Sequence, residues 1–265
     1  MLTYEALPDE RQQIIRSLLA SKGKVFAAEL SARFEVSEHT IRRDLTDLAK
    51  AGACRRVYGG AVAIPPDGGS LQHRTELAPE RKDALATAAV TLLGDGQCVF
   101  LDTGSTNLAI ARAIPAQRKL TVVTNSPVIA AALLDKDNVS LIALGGQIDK
   151  TLGGTVGVLA VEAIQRLSFD LAFLGACAID AQEGLTAFSL EDASFKRAVL
   201  ARSGAVAVAV VNEKLLSVAT HGVASVEAIS TLVVENDAPA QQVDAFAAQG
   251  VQVLVASPRL ASPRQ

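Results

Sequence analysis

The stretch Ser37-Glu38-His39-Thr40-Ile41-Arg42-Arg43-Asp44-Leu45 reads as the second helix of a DNA-binding helix-turn-helix. Ser37 is placed as an N-cap whose hydroxyl accepts from the backbone N–H groups of the first turn. Ile41, Leu45 and Leu48 recur at helical spacing and point to a core, which turns Glu38, His39, Arg42 and Arg43 largely outward. The N-terminal half of such a helix meets base edges in the major groove. Arginine binds guanine through two parallel hydrogen bonds or anchors on phosphate, Ser37 and Thr40 donate to phosphate, and Asp44 is suited to orienting an arginine. Residue chemistry leaves open which of these read bases and which clamp the backbone.

Upstream, Phe26, Leu30 and Phe34 fall four apart and predict an apolar stripe on a short first helix, with Val36 closing a tight turn. The segment from Pro8 to Ala20, with Ile14, Leu18 and Leu19 on one face, supplies a third helix, and Pro8 suits its start. Downstream, Cys54-Arg55-Arg56-Val57-Tyr58-Gly59-Gly60-Ala61-Val62 is two short apolar runs broken by a Gly-Gly turn, the pattern of a β-hairpin wing. Arg55 and Arg56 are expected on the DNA backbone, with Tyr58 beside them. Arginine pairs are most often plain solvated charges. Helix, tight turn, capped helix and basic wing in that order make DNA binding the stronger reading.

Two of these segments, Thr40-Ile41-Arg42-Arg43-Asp44-Leu45 and Arg56-Val57-Tyr58-Gly59-Gly60-Ala61, carry a resemblance to the DeoR family of bacterial transcription regulators. It extends over the chain from about Glu10 to Ala256. It implies a winged helix-turn-helix joined to an effector-sensing domain, in proteins that usually repress operons for sugar or sugar-phosphate catabolism.

Composition bounds the rest. A chain of 265 residues with 49% hydrophobic content accommodates a small and a large domain. The net charge of -3 excludes a globally basic nucleic-acid binder, so attraction to DNA must be local. Cys54, Cys98 and Cys177 are far apart with no Cys-x-x-Cys pair, which argues against a disulfide framework or zinc site; no metal or cofactor is expected. No signal segment or long charge-free apolar run is apparent, so a soluble cytoplasmic protein that avoids membranes is expected.

The run Pro65-Pro66-Asp67-Gly68-Gly69-Ser70 lacks apolar periodicity and reads as a linker. The expected organisation is a winged helix-turn-helix over 1–64, a linker over 65–75, a sensor domain over 76–256 and a disordered tail over 257–265. Beyond the linker, 80–93 is helical in pattern. Apolar runs of strand length follow at 98–101, 120–123, 139–144, 171–174, 205–211, 231–234 and 251–255, with helical segments between many of them. This predicts a Rossmann-like α/β domain with a mostly parallel sheet covered on both faces.

In such sheets ligands collect at the carboxyl ends of strands, where helix N-termini converge. Asp102-Thr103-Gly104-Ser105-Thr106-Asn107 follows the first strand and opens a helix, and its N–H groups and hydroxyls suit a phosphate or carboxylate. Thr124-Asn125-Ser126-Pro127 and Gly145-Gly146 follow the next two strands. Lys196 and Lys214 are candidate cations for an anionic effector. The family resemblance assigns the effector pocket to Asp102, Gly104, Ser105, Thr106, Thr124, Asn125, Lys196 and Lys214; Gly145 and Gly146 join it by position. Asn212 stands where the family usually has Asp, and Ala178 replaces a common glycine, so the pocket is expected to differ in its effector. The expected partners are double-stranded operator DNA, a small phosphorylated sugar or polyol, and further copies of the chain in a homodimer or homotetramer.

A second reading is a sugar-phosphate isomerase-like enzyme. The sensor segment resembles ribose 5-phosphate isomerase, whose Asp-Gly-Ala-Asp-Glu pattern corresponds here to Leu174-Gly175-Ala176-Cys177-Ala178, without its carboxylates. Isomerisation needs such a carboxylate to move a proton between adjacent carbons. Asp180 and Glu183 are the nearest substitutes. A purely architectural DNA protein is a third reading, and the ligand-sized α/β domain argues against it.

Overall fold

A computed structural model describes residues 8–63, 69–215 and 217–257. Pro65 and Pro66, on which the linker expectation centres, lie outside the described residues, as do residues 258–265 of the expected tail.

The N-terminal unit runs α1 (Pro8–Lys22), β1 (Lys24–Phe26), α2 (Ala27–Phe34), α3 (Glu38–Lys50), β2 (Cys54–Val57) and β3 (Gly60–Ala63). Ile15, Leu19, Leu30, Phe34, Ile41, Leu45 and Leu48 form its core, and burying each such side chain contributes about 1.5–3 kcal/mol. Two expected core residues are displaced. Ile14 is 36% exposed and Ile15 takes its place, because Arg11, Ile15 and Leu19, four apart, share the inward face. Phe26 ends β1 instead of opening the helix: Lys24–Phe26 pair antiparallel with Gly60–Val62, leaving the Phe26 ring 40% exposed. A spacing of four could not distinguish this capping position from one more helical turn. The turn between α2 and α3 is tight because Glu35 adopts the left-handed conformation (φ 54°) and Ser31 Oγ donates to the Val36 carbonyl at 2.6 Å.

The wing is β2 and β3 joined through Tyr58 and Gly59. The expected Gly-Gly turn is therefore shifted by one residue. Gly60 already belongs to β3 and is required there by close approach, since a Cβ on it would lie 2.0 Å from the Val25 carbonyl oxygen.

The larger unit runs α4 (Leu71–Glu76), α5 (Pro79–Ala89), β4 (Cys98–Leu101), α6 (Ser105–Ala113), β5 (Leu120–Thr124), α7 (Pro127–Leu133), β6 (Val139–Ala143), β7 (Ile148–Asp149), β8 (Gly154–Thr155), α8 (Val158–Gln165), β9 (Phe169–Phe173), β10 (Ala178–Asp180), β11 (Gly184–Ala187), α9 (Leu190–Leu200), β12 (Ser203–Ala209), β13 (His221–Ala224), β14 (Thr231–Val234), α10 (Ala240–Ala247) and β15 (Gln252–Val255). Part of the expected linker is thus helical: α4 occupies 71–76, with Ser70 Oγ accepting from His73 N at 3.3 Å.

Seven strands form one sheet in the order β15-β14-β12-β9-β4-β5-β6, with every neighbouring pair parallel. The predicted runs correspond to these seven strands. Both faces are covered, as their unbroken apolar character requires. Leu101 and Phe173 face a layer containing Leu85, Leu108 and Ile129 of α5, α6 and α7. Phe100 and Val208 face a layer containing Ile164, Phe195 and Phe246 of α8, α9 and α10. The chain enters at β4, moves out to β6, then returns to β9 and proceeds to the opposite edge. The strand order therefore reverses between β4 and β9, where an open α/β sheet forms its crevice. Among the described residues, no helix is long and apolar enough to cross a membrane.

Candidate effector cavity and nucleic-acid interface

At the reversal point Asp102 follows β4 and Gly175 follows β9. The Asp102 carboxylate is fully buried, and its Oδ2 accepts from Gly175 N at 2.9 Å. Asn107 Nδ2 donates to the carbonyls of both Asp102 and Phe173, at 2.9 and 3.1 Å. A Cβ at Gly175 would lie 2.5 Å from the Thr103 carbonyl oxygen, so only glycine lets the two strand ends meet.

Above this junction is a cavity of about 450 Å³. Gly104, Ser105 and Thr106 line it at the start of α6, whose first N–H groups lack intrahelical partners. Lys196, from α9, and Lys214 line it as well. Asp102 lies beneath the wall rather than in it. Lys196 Nζ is 2.6 Å from Asp192 Oδ2 and 3.6 Å from Asp102 Oδ2. Burial opposes the charge on Lys196, but the two carboxylates outweigh it and hold the ammonium above its ordinary pKa. Burial pushes Asp102 up to about 6 against the opposing pull of Lys196. Lys214 behaves in the opposite way: burial brings it down to about 8, with Arg74 and Lys196 adding repulsion and Cys177 acting against them. Its ammonium donates to the Ala176 carbonyl at 2.6 Å and enters none of the ion pairs found among the described residues.

Besides Asp102, four expected effector residues do not line this cavity. Thr124 is buried and donates to the Leu101 carbonyl at 2.6 Å. Asn125 accepts from Thr103 N at 2.9 Å and donates to the Thr155 carbonyl at 3.1 Å, bracing the turn from behind. Gly145 and Gly146 are exposed beyond β6. Buried polar groups need partners, and a strand-end Thr-Asn pair meets that need with neighbouring backbone as readily as with ligand. The departures from the family pattern also lie elsewhere: Asn212 Nδ2 donates to Asp237 at 2.8 Å, and Ala178 is buried in β10. Asp180 and Glu183, the substitutes considered for isomerase chemistry, are outside the cavity, where Asp180 Oδ1 accepts from Gln182 N and Glu183 N in the β10–β11 turn.

The sequence does not single out Arg74, Asp149, Thr151, Leu152, Phe188 or Ser189 for the cavity. Arg74 comes from α4 and Asp149 and Thr151 from the segment after β6. Arg74 belongs to the stretch that reads as linker, and the signal that marks it in the sequence is its charge within a short amphipathic run.

In the N-terminal unit Ser37 caps α3, accepting from Thr40 N at 3.1 Å, and its hydroxyl is 2.9 Å from that of Thr40. His39, Arg42 and Arg43 are exposed on one flank of α3, and Arg42 pairs with Glu38 at 2.9 Å. Arg56 donates to Thr46 Oγ1 at 2.9 Å, which places it on the same side as α3, and Tyr58 is fully exposed at the wing tip. Asp44 does orient an arginine, but a buried one: it takes a two-pronged ion pair from Arg11 of α1. Arg55 departs from its expected direction. It lies in a crevice between the wing and the larger unit with Phe188 and Val218, a crevice that Arg56 also lines, and its Nε is buried with no hydrogen-bond partner among the described residues. Successive strand residues alternate faces, so only one of Arg55 and Arg56 can lie on the α3 side.

Residues 11–66 match the DeoR-like helix-turn-helix domain, and residues 77–236 match the DeoR C terminal sensor domain. The chain belongs to the DeoR family. This DeoR-family protein is 35% identical over 255 residues to the HTH-type transcriptional regulator YgbI of Escherichia coli K12, covering 94% of this chain and 98% of that protein. It is 32% identical to the HTH-type transcriptional regulator GolR of Listeria innocua, covering 86% and 91%. The glycerol-3-phosphate regulon repressor of Escherichia coli K12 is 30% identical, covering 87% and 91%. These relatives are named as regulators of transcription, and this member is a DNA-binding transcriptional regulator rather than an enzyme.

Proposed function

We propose that this regulator is a cytoplasmic repressor of a carbohydrate or sugar-phosphate catabolic operon, released from its operator by a phosphorylated sugar or polyol. The glycerol-3-phosphate regulon repressor among its relatives supports the effector class, as does a cavity that offers a helix N-terminus, two hydroxyls and two lysines to an anion. A homodimer or homotetramer would present two winged helices to paired half-sites. Residues 1–64 bind DNA in this reading, and 76–256 sense the effector.

The observation that carries the proposal is a short strap connecting cavity and wing. Lys214 lines the cavity, its carbonyl accepts from Ser217 Oγ at 2.9 Å, and Ser217 forms a parallel bridge with Ala63 at the end of β3. Phe188 lines the effector cavity and also the crevice that contains Arg55. A ligand that draws on Lys214 and Phe188 therefore acts on the wing through contiguous contacts. Its effect depends on binding one wing arrangement more tightly than another, a coupling typically of about 1–3 kcal/mol.

The test is a thermal-shift screen against sugar phosphates, polyol phosphates and their unphosphorylated counterparts, followed by DNA-mobility assays with the promoter beside the protein's own gene. A ligand that binds only the folded state raises the melting temperature. The expected result is one phosphorylated compound that stabilises the protein and releases the DNA. Stabilisation by an unphosphorylated compound alone overturns the effector class.

A further inference from the structure

We propose that Arg74 is the residue through which the cavity couples an anionic ligand to the helix that follows the wing; this rests on the reading of the cavity as a phosphate site. Arg74 belongs to α4, the first described helix after β3, and its guanidinium lines the cavity. It spans a long sequence interval: Nη1 donates to the Gly69 carbonyl at 2.6 Å and to the Thr151 carbonyl at 3.1 Å, and Nη2 donates to the Leu152 carbonyl at 3.0 Å. The acceptors are held in place by Asp149, whose Oδ1 takes the N–H groups of Thr151 and Leu152 at 2.8 and 2.9 Å. Behind Arg74, Lys82 Nζ donates to the carbonyls of Arg74 and Leu77 and fixes the C-terminal end of α4 against α5.

A clamp with only a structural role gains nothing from facing other cations. Arg74 sits close enough to Lys214 to push its pKa down, and Lys82 and Lys196 act in the same direction. Lys196 has Asp192 and Asp102 beside it, whereas Lys214 has the Ala176 carbonyl. Three cations, Arg74, Lys196 and Lys214, line the cavity against one lining carboxylate, Asp149, and a phosphate monoester dianion relieves that excess. Charge-assisted bonds from guanidinium to phosphate are roughly twice as strong as those to neutral carbonyls, and the planar fork suits two phosphate oxygens. A bound phosphate therefore competes for Arg74 with the carbonyls of Gly69, Thr151 and Leu152. That competition alters the hold of α4 on the segment at 149–152. Ligand binding thereby acts on the chain entering the sensor domain, by a route separate from the Lys214 strap.

The experiment measures the stabilisation of full-length wild type, Arg74→Gln and Arg74→Lys by inorganic phosphate and glycerol 3-phosphate, with each ligand shift referred to the same variant's own ligand-free melting temperature. The expected result is an affinity loss on the order of tenfold or more in Arg74→Gln, with partial retention in Arg74→Lys, which keeps the charge and loses the fork. A lower ligand-free melting temperature with unchanged affinity in both variants overturns the inference and leaves Arg74 a structural clamp. Should neither probe stabilise wild type, the phosphate-site reading falls and this inference falls with it. If Arg74→Gln does not fold, Arg74→Lys decides: affinity equal to wild type for both probes overturns the role of the fork.

Discussion

Arg11 on α1 and Asp44 on α3 form a two-pronged ion pair in which both side chains are at least nine-tenths buried. It pins α3 to α1 at the point where Ile41 and Leu45 enter the core. Removing one partner from such a pair leaves an uncompensated buried charge, which typically destabilises by about 3–5 kcal/mol. Asp44→Ala is expected to unfold the N-terminal unit at lower denaturant while the larger unit keeps its own transition, as followed by circular dichroism in urea.

Arg43 is exposed on the outward flank of α3. Arg43→Ala is expected to weaken operator binding by about 1–3 kcal/mol without changing the melting temperature, as read by mobility shift at fixed salt. Arg42, already tied to Glu38 on the surface, should matter less. Unchanged operator affinity in Arg43→Ala would mean that α3 is not the groove-reading helix.

Lys214, brought down to about 8 by burial, is protonated below that value and neutral above it. An anion binds the protonated form, so ligand affinity should hold below pH 8 and decline above it, with proton uptake on binding near pH 8. Calorimetric titration in buffers of different ionisation enthalpy reads this uptake. Lys214→Gln should abolish the step. The stability effect has the opposite sign: the unfolded state binds this proton more tightly, so Lys214 by itself makes folding more favourable as pH rises from about 8 towards 10.5.

Ser217 and Phe188 stand between the cavity and the wing. Ser217→Ala is expected to leave ligand affinity nearly unchanged while reducing the ligand-induced loss of operator affinity; Phe188→Ala, which also removes part of the cavity wall, is expected to lower both, and is compared at saturating ligand. The relevant quantity is the ratio of operator dissociation constants with and without ligand. A ratio equal to that of wild type in the double variant would remove the strap from the mechanism.

Gly175→Ala places a methyl group 2.5 Å from the Thr103 carbonyl oxygen and 3.1 Å from Asp102 Oδ2. Overpacking of this kind typically costs about 1–3 kcal/mol. It also displaces the backbone that lines the cavity, so both the melting temperature and ligand stabilisation should fall together.

The sheet was legible because strands buried on both faces leave unbroken apolar runs, and each of the seven appeared as one. The short antiparallel pieces β7, β8, β10, β11 and β13 were missed, since two to four residues carry too little alternation to stand out. In the cavity, Gly104, Ser105 and Thr106 were readable from the strand-to-helix turn, because a helix start and an anion site need the same residues. Thr124 and Asn125 misled for a related reason: their polarity serves hydrogen bonds within the turn. Arg74 was hidden because its neighbours in space are 77 and 78 residues away in sequence, and local composition cannot report such a contact. Arg55 and Arg56 looked equivalent in the sequence, and strand alternation separated them.

The wing tip carries its own spectroscopic label. The chain has no tryptophan and two tyrosines, Tyr4 and Tyr58, and Tyr58 is the fully exposed residue at the β2–β3 turn. In a Tyr4→Phe background the whole tyrosine emission arises from that one ring. Quenching on addition of promoter DNA would then report wing contact in real time without an attached dye.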